Sequence, residues 1–365
     1  MTDTMMAYML KTKEGPLEKL KVNISGDGTK RSNTSNLFVC SFALVEHGQN
    51  CLSSSGNHTI AVVKGKEDHD TLRKSLANVI QDVNKLVKDG EIDVDGQMVK
   101  LEFFLGGDYK FLLIAMGMKA ATTNNSCIWC KIHKNERCNM SHSCEHFASA
   151  AMARTIIKSW SKQTGCHSDP FFQIPIDNVV LDELHLMLRI TDRLEQGLIL
   201  DILKWDTDDN YSKPSSRKTH DHLDALLKAF CSLGVSLSVY KVTDGKWEWT
   251  SLLGREKKIL LRKLPSLFEQ ILPPSKVENT RQLWTNFREL LEMMNKEKIS
   301  EDDITTFERK TKPLSDHLAR WDRMVILAIR FLSEQPTVKE MLQRPDRAGS
   351  QNGGADPTVE LNKFI

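Results

Sequence analysis

Nothing in this 365-residue chain approaches the run of about 20 apolar residues that a membrane-spanning helix requires. Met5 to Leu10 is too short and too interrupted for an export or membrane segment, so no membrane partner is expected. Internal repeats are absent, as are Walker and dinucleotide fingerprints, which sets aside solenoids, P-loop NTPases and Rossmann enzymes. An excess of charge of either sign is lacking as well. A formal net charge of +2 gives no global pull on a polyanion, so any grip on DNA must come from local patches. The eight cysteines come without a secretory signal, so a reducing, intracellular setting, nuclear or cytoplasmic, is expected rather than a disulfide framework. With 40% apolar and 27% charged residues, the chain can bury a sizeable core and is expected to form two domains.

The first third reads as strands. Leu20, Val22 and Ile24 alternate with polar residues, and glycines around Asp27 predict a turn that displays the aspartate at a strand tip. Leu37 to Val45 and Thr59 to Val63 follow as strands joined by polar connections, which suits an antiparallel meander. Apolar residues at helical spacing from Leu72 to Val87 predict a helix stopped by Asp89-Gly90. A strand over Val99 to Leu105 then runs into Gly106-Gly107-Asp108, with a helix expected from Tyr109 to about Met118. A helical crossover lays the later strand parallel to an earlier one. If that neighbour is the first strand, Asp27 and Asp108 meet. Paired carboxylates repel unless a cation lies between them, and hard oxygen ligands suit Mg²⁺ or Mn²⁺. Two such ions activate a water and stabilise the leaving oxygen of a phosphodiester. The plainer alternative is that Asp-Gly simply makes turns, as at Asp95-Gly96.

Five runs carry a family resemblance. They are Ile24-Ser25-Gly26-Asp27-Gly28-Thr29, Ser41-Phe42 with Glu46-His47-Gly48, His69-Asp70-Thr71-Leu72, Gly107-Asp108-Tyr109-Lys110 and Cys127-Ile128-Trp129-Cys130. Together they resemble the catalytic core of the large subunit of the V(D)J recombination-activating recombinase, a core shared with Transib-type transposases. The likeness runs from about Leu20 to Trp321 and is strongest before Arg137. It implies an α/β, ribonuclease H-like mixed sheet followed by a mainly helical insertion domain. It also implies an Asp, Asp, Glu triad, of which Asp27 and Asp108 match the two aspartates. By the same resemblance DNA is the partner, with a homodimer and an accessory recombinase subunit as further partners. The family's upstream sequence-specific DNA-binding region has no counterpart here, so truncation at both ends is expected.

Cys127 and Cys130 have the spacing that lets two thiolates bind one tetrahedral zinc, which needs four ligands when structural. In the family two downstream histidines, shortly before the catalytic glutamate, complete that zinc. No such pair is found: His317 stands alone after His222, and Glu334, Glu340 and Glu360 lack the family's surroundings. Local ligands are available in His133, Cys138, His142, Cys144 and His146; the alternative is unpaired reduced thiols.

After about Ser141 amphipathic helices dominate, with Ala148 to Trp160, Asn178 to Leu203, His220 to Leu233, Asn279 to Met294 and Asp316 to Leu332 as candidates. His185 lies near Asp182 in a segment that resembles the family, although a lone histidine on an apolar helix more often packs. Arg255, Lys257, Lys258, Arg262 and Lys263 interleave with leucines and could neutralise DNA phosphates without reading sequence. The expected organisation is an N-terminal extension (1–18), a sheet core with the CxxC loop (19–140), a helical insertion (141–335) and a flexible tail (336–365). Functionally, the expectation is a DDE-type nicking and strand-transfer core, inactive as an isolated chain because the third acid and the zinc histidines are not found. The alternative is a zinc-stabilised, non-catalytic DNA- or protein-binding module.

Overall fold

A computed structural model describes residues 19–311, apart from 33–34, 47–52, 54, 95, 138, 140–145, 147–148, 157–159, 244, 295–299, 301, 304 and 308. The extension at 1–18, the expected helix over Asp316 to Leu332, His317, the three late glutamates and the tail lie outside these residues.

A mixed sheet forms the first half, with strands Lys19–Ser32 (β1), Ser35–Leu44 (β2) and Asn57–Lys64 (β3) as an antiparallel meander. Helices His69–Ser75 (α1) and Ala77–Asp89 (α2) then cross over, divided at Leu76 where one continuous helix was expected. The Asp68 carboxylate caps α1 by accepting from the Thr71 amide, and Gly90 ends α2 in the left-handed region at φ 71°. Glu91–Val94 (β4) and Gln97–Gly107 (β5) make a tight hairpin, and β5 returns parallel to β1. Tyr109–Ala115 (α3) follows directly. Strand order is β3-β2-β1-β5. The outer edge of β5 is shared: β4 pairs with its start, and a later three-residue strand, Val179–Leu181 (β6), pairs parallel with its end.

One apolar core extends from Leu20 to Leu181 and takes in Trp160, Phe171, Phe172 and Ile174. The described residues from Trp160 to Leu181, expected to belong to the helical part, thus contribute to the core of the sheet. Ala148 to Trp160 does not form the expected α-helix among its described residues: 149–156 are bend, turn and irregular chain with Ala153 bridged to Cys130, and Trp160 opens a short 3-10 turn. Buried Arg154 explains this. Its guanidinium donates to the carbonyls of Asn125, Cys127 and Cys130, so the segment is held against the CxxC loop.

The second core begins with Glu183–Asp209 (α4) and includes Asp221–Ser232 (α5), Gly254–Lys263 (α6), Phe268–Ile271 (α7) and Pro274–Met294 (α8). A small hairpin, Val239–Lys241 (β7) and Trp247–Trp249 (β8), packs on it. Among the described residues no helix is long and apolar enough to cross a membrane.

Candidate functional site

β1 does not end at the glycines around Asp27, and the expected turn there is not formed. The strand continues to Ser32 with Asp27 paired to Val39 of β2. What ends is the parallel ladder with β5, whose last partners are Gly26 and Gly107. Asp27 and Asp108 are the next residue on each side, so the register brings them together where β1 loses its second neighbour. The glycines are required by packing. A Cβ on Gly26 would lie 2.5 Å from the Phe38 ring and 2.7 Å from that of Phe111, the two rings that fill the space beside it. Gly107 has φ 147°, and a Cβ there would meet Phe111 at 2.8 Å. These absent side chains let α3 turn back tightly over the end of the ladder.

A third aspartate joins the pair. β6 pairs Leu181 with Gly107, and the Asp182 amide donates to the Gly107 carbonyl at 3.3 Å. Asp182 therefore follows the last ladder residue of its strand, as Asp27 and Asp108 do. Sequence reasoning found Asp182 only as a neighbour of His185, because a three-residue strand leaves no alternation to read. The helices beyond are capped by these same side chains. Asp108 Oδ1 accepts from the Phe111 amide at 2.7 Å, and Asp182 Oδ1 accepts from the Leu184 amide at 2.9 Å.

Electrostatics reflect the crowding. Asp27 is held above its ordinary carboxylate range, first by partial desolvation and next by the Asp108 carboxylate, with Asp182 adding in the same direction. His185 opposes this. Its Nδ1 lies 2.5 Å from Asp182 Oδ2, and that bond raises the imidazole above its ordinary 6.5 despite burial, with Asp108 and Asp27 contributing. His185 is half-exposed and hydrogen-bonded to Asp182, and the surrounding carboxylates favour its protonated form, which is a different role from core packing. Nearby, Glu67 and Lys110 form an ion pair, and a Cβ on Gly28 would lie 2.5 Å from Glu67 Oε2.

In donor chemistry, Asp27 and Asp108 fit a hard divalent cation. Their fit is partial. One oxygen of Asp108 is committed to a helix cap, both oxygens of Asp182 are engaged, and among the described residues no group of three or more His, Cys, Asp or Glu is placed to hold a metal.

The CxxC loop follows α3 and is buried. The Tyr109 hydroxyl donates to the Ser126 carbonyl at 2.7 Å, tying the loop to the helix that Asp108 caps. The Cys127 thiol is pulled below its ordinary 9.0 chiefly by a hydrogen bond from Cys130, whose own thiol is pushed up by the same bond. Arg154 lies among them, with Nη1 3.6 Å from Cys166 Sγ. Of the local zinc candidates, His133 and His146 are described, and the His133 ring accepts from the Asn135 amide at 3.3 Å; Cys138, His142 and Cys144 lie outside the described residues.

The basic stretch on α6 divides. Arg255, Lys258, Arg262 and Lys263 are exposed. Lys257 is turned inward, 2% exposed and paired with Asp192 of α4. Neither family models nor curated proteins match this chain.

Proposed function

We propose that this chain is a DDE-type transposase or recombinase core with a ribonuclease H-like sheet, which acts on DNA phosphodiesters and turns over weakly or not at all by itself. The observation that carries this reading is the register of β1 against β5, which places Asp27 and Asp108 side by side at the end of a parallel ladder. Asp27 and Asp108 would hold Mg²⁺ or Mn²⁺. That cation, when bound, supplies an activated water and charge stabilisation for the leaving oxygen. The protein's own part is positional. The glycine-backed ladder fixes the carboxylates, and half-exposed His185 stands beside them as the group that would meet an incoming phosphate.

The proposed weakness follows from the oxygens. Asp182 takes the third place on the sheet, but the Leu184 amide and His185 occupy its carboxylate, so it does not substitute for a free third acid. A magnesium-dependent nicking assay on duplex DNA tests the proposal. Trace nicking that disappears in Asp27→Asn and Asp108→Asn is the expected result. Nicking that survives both changes would place the chemistry elsewhere, strong nicking by the unmodified chain would overturn the incompleteness, and failure to bind DNA at low salt would remove DNA as the partner.

A further inference from the structure

The residues of α4 continue from the ladder end into a second feature. His185, Arg189, Arg193 and Gln196 recur at helical spacing, so they share one face, and they span about 16 Å at 1.5 Å per residue. Beyond His185 this face borders a cavity of about 330 Å³, lined by Arg189, Asp192, Arg193, Glu195 and Gln196 of α4 and by Trp249, Thr250 and Ser251 at the end of β8.

Two observations make this a built site. Glu195 lines the cavity yet is 3% exposed, and its buried Oε1 has no hydrogen-bond partner, so its carboxyl is not fully satisfied within the protein. Burial also pushes the Glu195 carboxyl up to about 8, with Asp192 and Glu256 adding to the shift and Lys257 opposing it. Near neutral pH Glu195 is therefore a neutral acid that can donate a proton in a hydrogen bond. Positive charge is available around it. Lys257 of α6 neutralises Asp192, and the Glu256 carboxylate accepts from the Leu253 amide. Arg193 is bonded to Gln196 at 2.6 Å, while Arg189 is exposed and makes no ion pair among the described residues.

We propose that this cavity binds a phosphate group, with Arg189 and Arg193 meeting its charge and the Glu195 carboxyl donating to one of its oxygens. That the phosphate belongs to a DNA strand lying along α4 from the aspartates rests on the function proposed above. Successive charges on one strand are about 3.4 Å apart along a duplex axis, so the cavity lies a few nucleotides from the ladder end.

Isothermal titration of the whole chain with inorganic phosphate tests the cavity. Binding is expected at pH 6.5 and at least tenfold weaker at pH 9. The sign is diagnostic, because phosphate gains negative charge over that interval and arginines alone would bind it more tightly. Glu195→Gln should keep binding and flatten the pH dependence, and exposed Arg189→Ala should weaken binding at least tenfold with the fold intact by circular dichroism. Absence of phosphate binding at both pH values, or binding indifferent to Arg189→Ala, would overturn the site. Asp27→Asn separates the two readings, since it should abolish nicking and leave phosphate binding unchanged. A single-stranded oligonucleotide should compete with phosphate; phosphate binding without competition would overturn the DNA source alone.

Discussion

Asp27 in the sheet and Glu195 in the helical half are both carboxyls held above their ordinary range, with desolvation as the largest cause in each. Their surroundings separate them. Asp27 is exposed, set among other carboxylates by strand register, and balanced by a histidine. Glu195 is enclosed in a helical core and has a neighbouring ion pair but no partner for one oxygen. Repulsion from neighbouring charges can be relieved by a cation, whereas a charge penalised by burial is relieved by keeping the proton. The same residue class therefore answers to different remedies in the two regions, a counter-charge beside Asp27 and a retained proton at Glu195.

The contrast is broken most severely through the glycines. Gly26→Val should cost about 3 kcal/mol by overpacking against Phe38 and Phe111, and it should displace α3 so that Asp27 loses its neighbour. Denaturant midpoints and a carboxyl titration of Asp27 would check both effects; an unchanged midpoint would mean that the rings move aside freely.

The second test concerns Glu195. Unfolded, this residue loses its proton near 4.5, but folded it keeps it to about pH 8. The folded state binds more protons across that window, so the stabilising contribution is complete below 4.5 and is lost as pH rises toward 8, at about 1.4 kcal/mol per pH unit. Glu195→Gln should remove that slope in pH-dependent unfolding, and a slope that persisted would assign it to other groups.

A smaller effect is expected on α6. Reversing Arg255, Lys258, Arg262 and Lys263 should lower the salt dependence of DNA binding by about 0.9 in log–log slope for each phosphate that is no longer neutralised. Lys257→Met should leave that slope alone, because its ammonium is turned toward Asp192. An equal reduction at Lys257 would mean that the ion pair opens on binding.

The least change is expected for Asp182→Asn, which should return His185 toward 6.5 and let Asp27 fall slightly, both readable by NMR titration. A His185 value that stayed high would place its main partner elsewhere.

Legibility in the sequence followed the same division. Alternation and glycines announced β1 and β5, and the intervening helix implied their parallel pairing, so Asp27 and Asp108 could be brought together in advance. The aspartate on β6 could not, since three residues carry no period and its partner lies far back in the chain. Glu195 carries no signal of its own in the sequence, and Lys257 reads as one cation of an exposed basic stripe on a helix. Only the packing of α4 against α6 turned them inward, because long-range packing overrides what local spacing suggests. Arg154 misled for a related reason: an alanine-rich stretch looks helical until a buried guanidinium draws it onto three carbonyls.

The sharing of the outer edge of β5 bears on the order of assembly. β4 reaches that edge through a hairpin, whereas β6 reaches it across about 70 residues of intervening chain, a closure that is slow by its sequence separation. During synthesis, the meander, its crossover and the hairpin can form while the β6 segment is still being made. Asp27 and Asp108 would then meet before Asp182 and His185 arrive, leaving an interval in which an anionic pair stands without its histidine. Docking of β6 would thus bring His185 to the pair, with the helical core still to be completed after it.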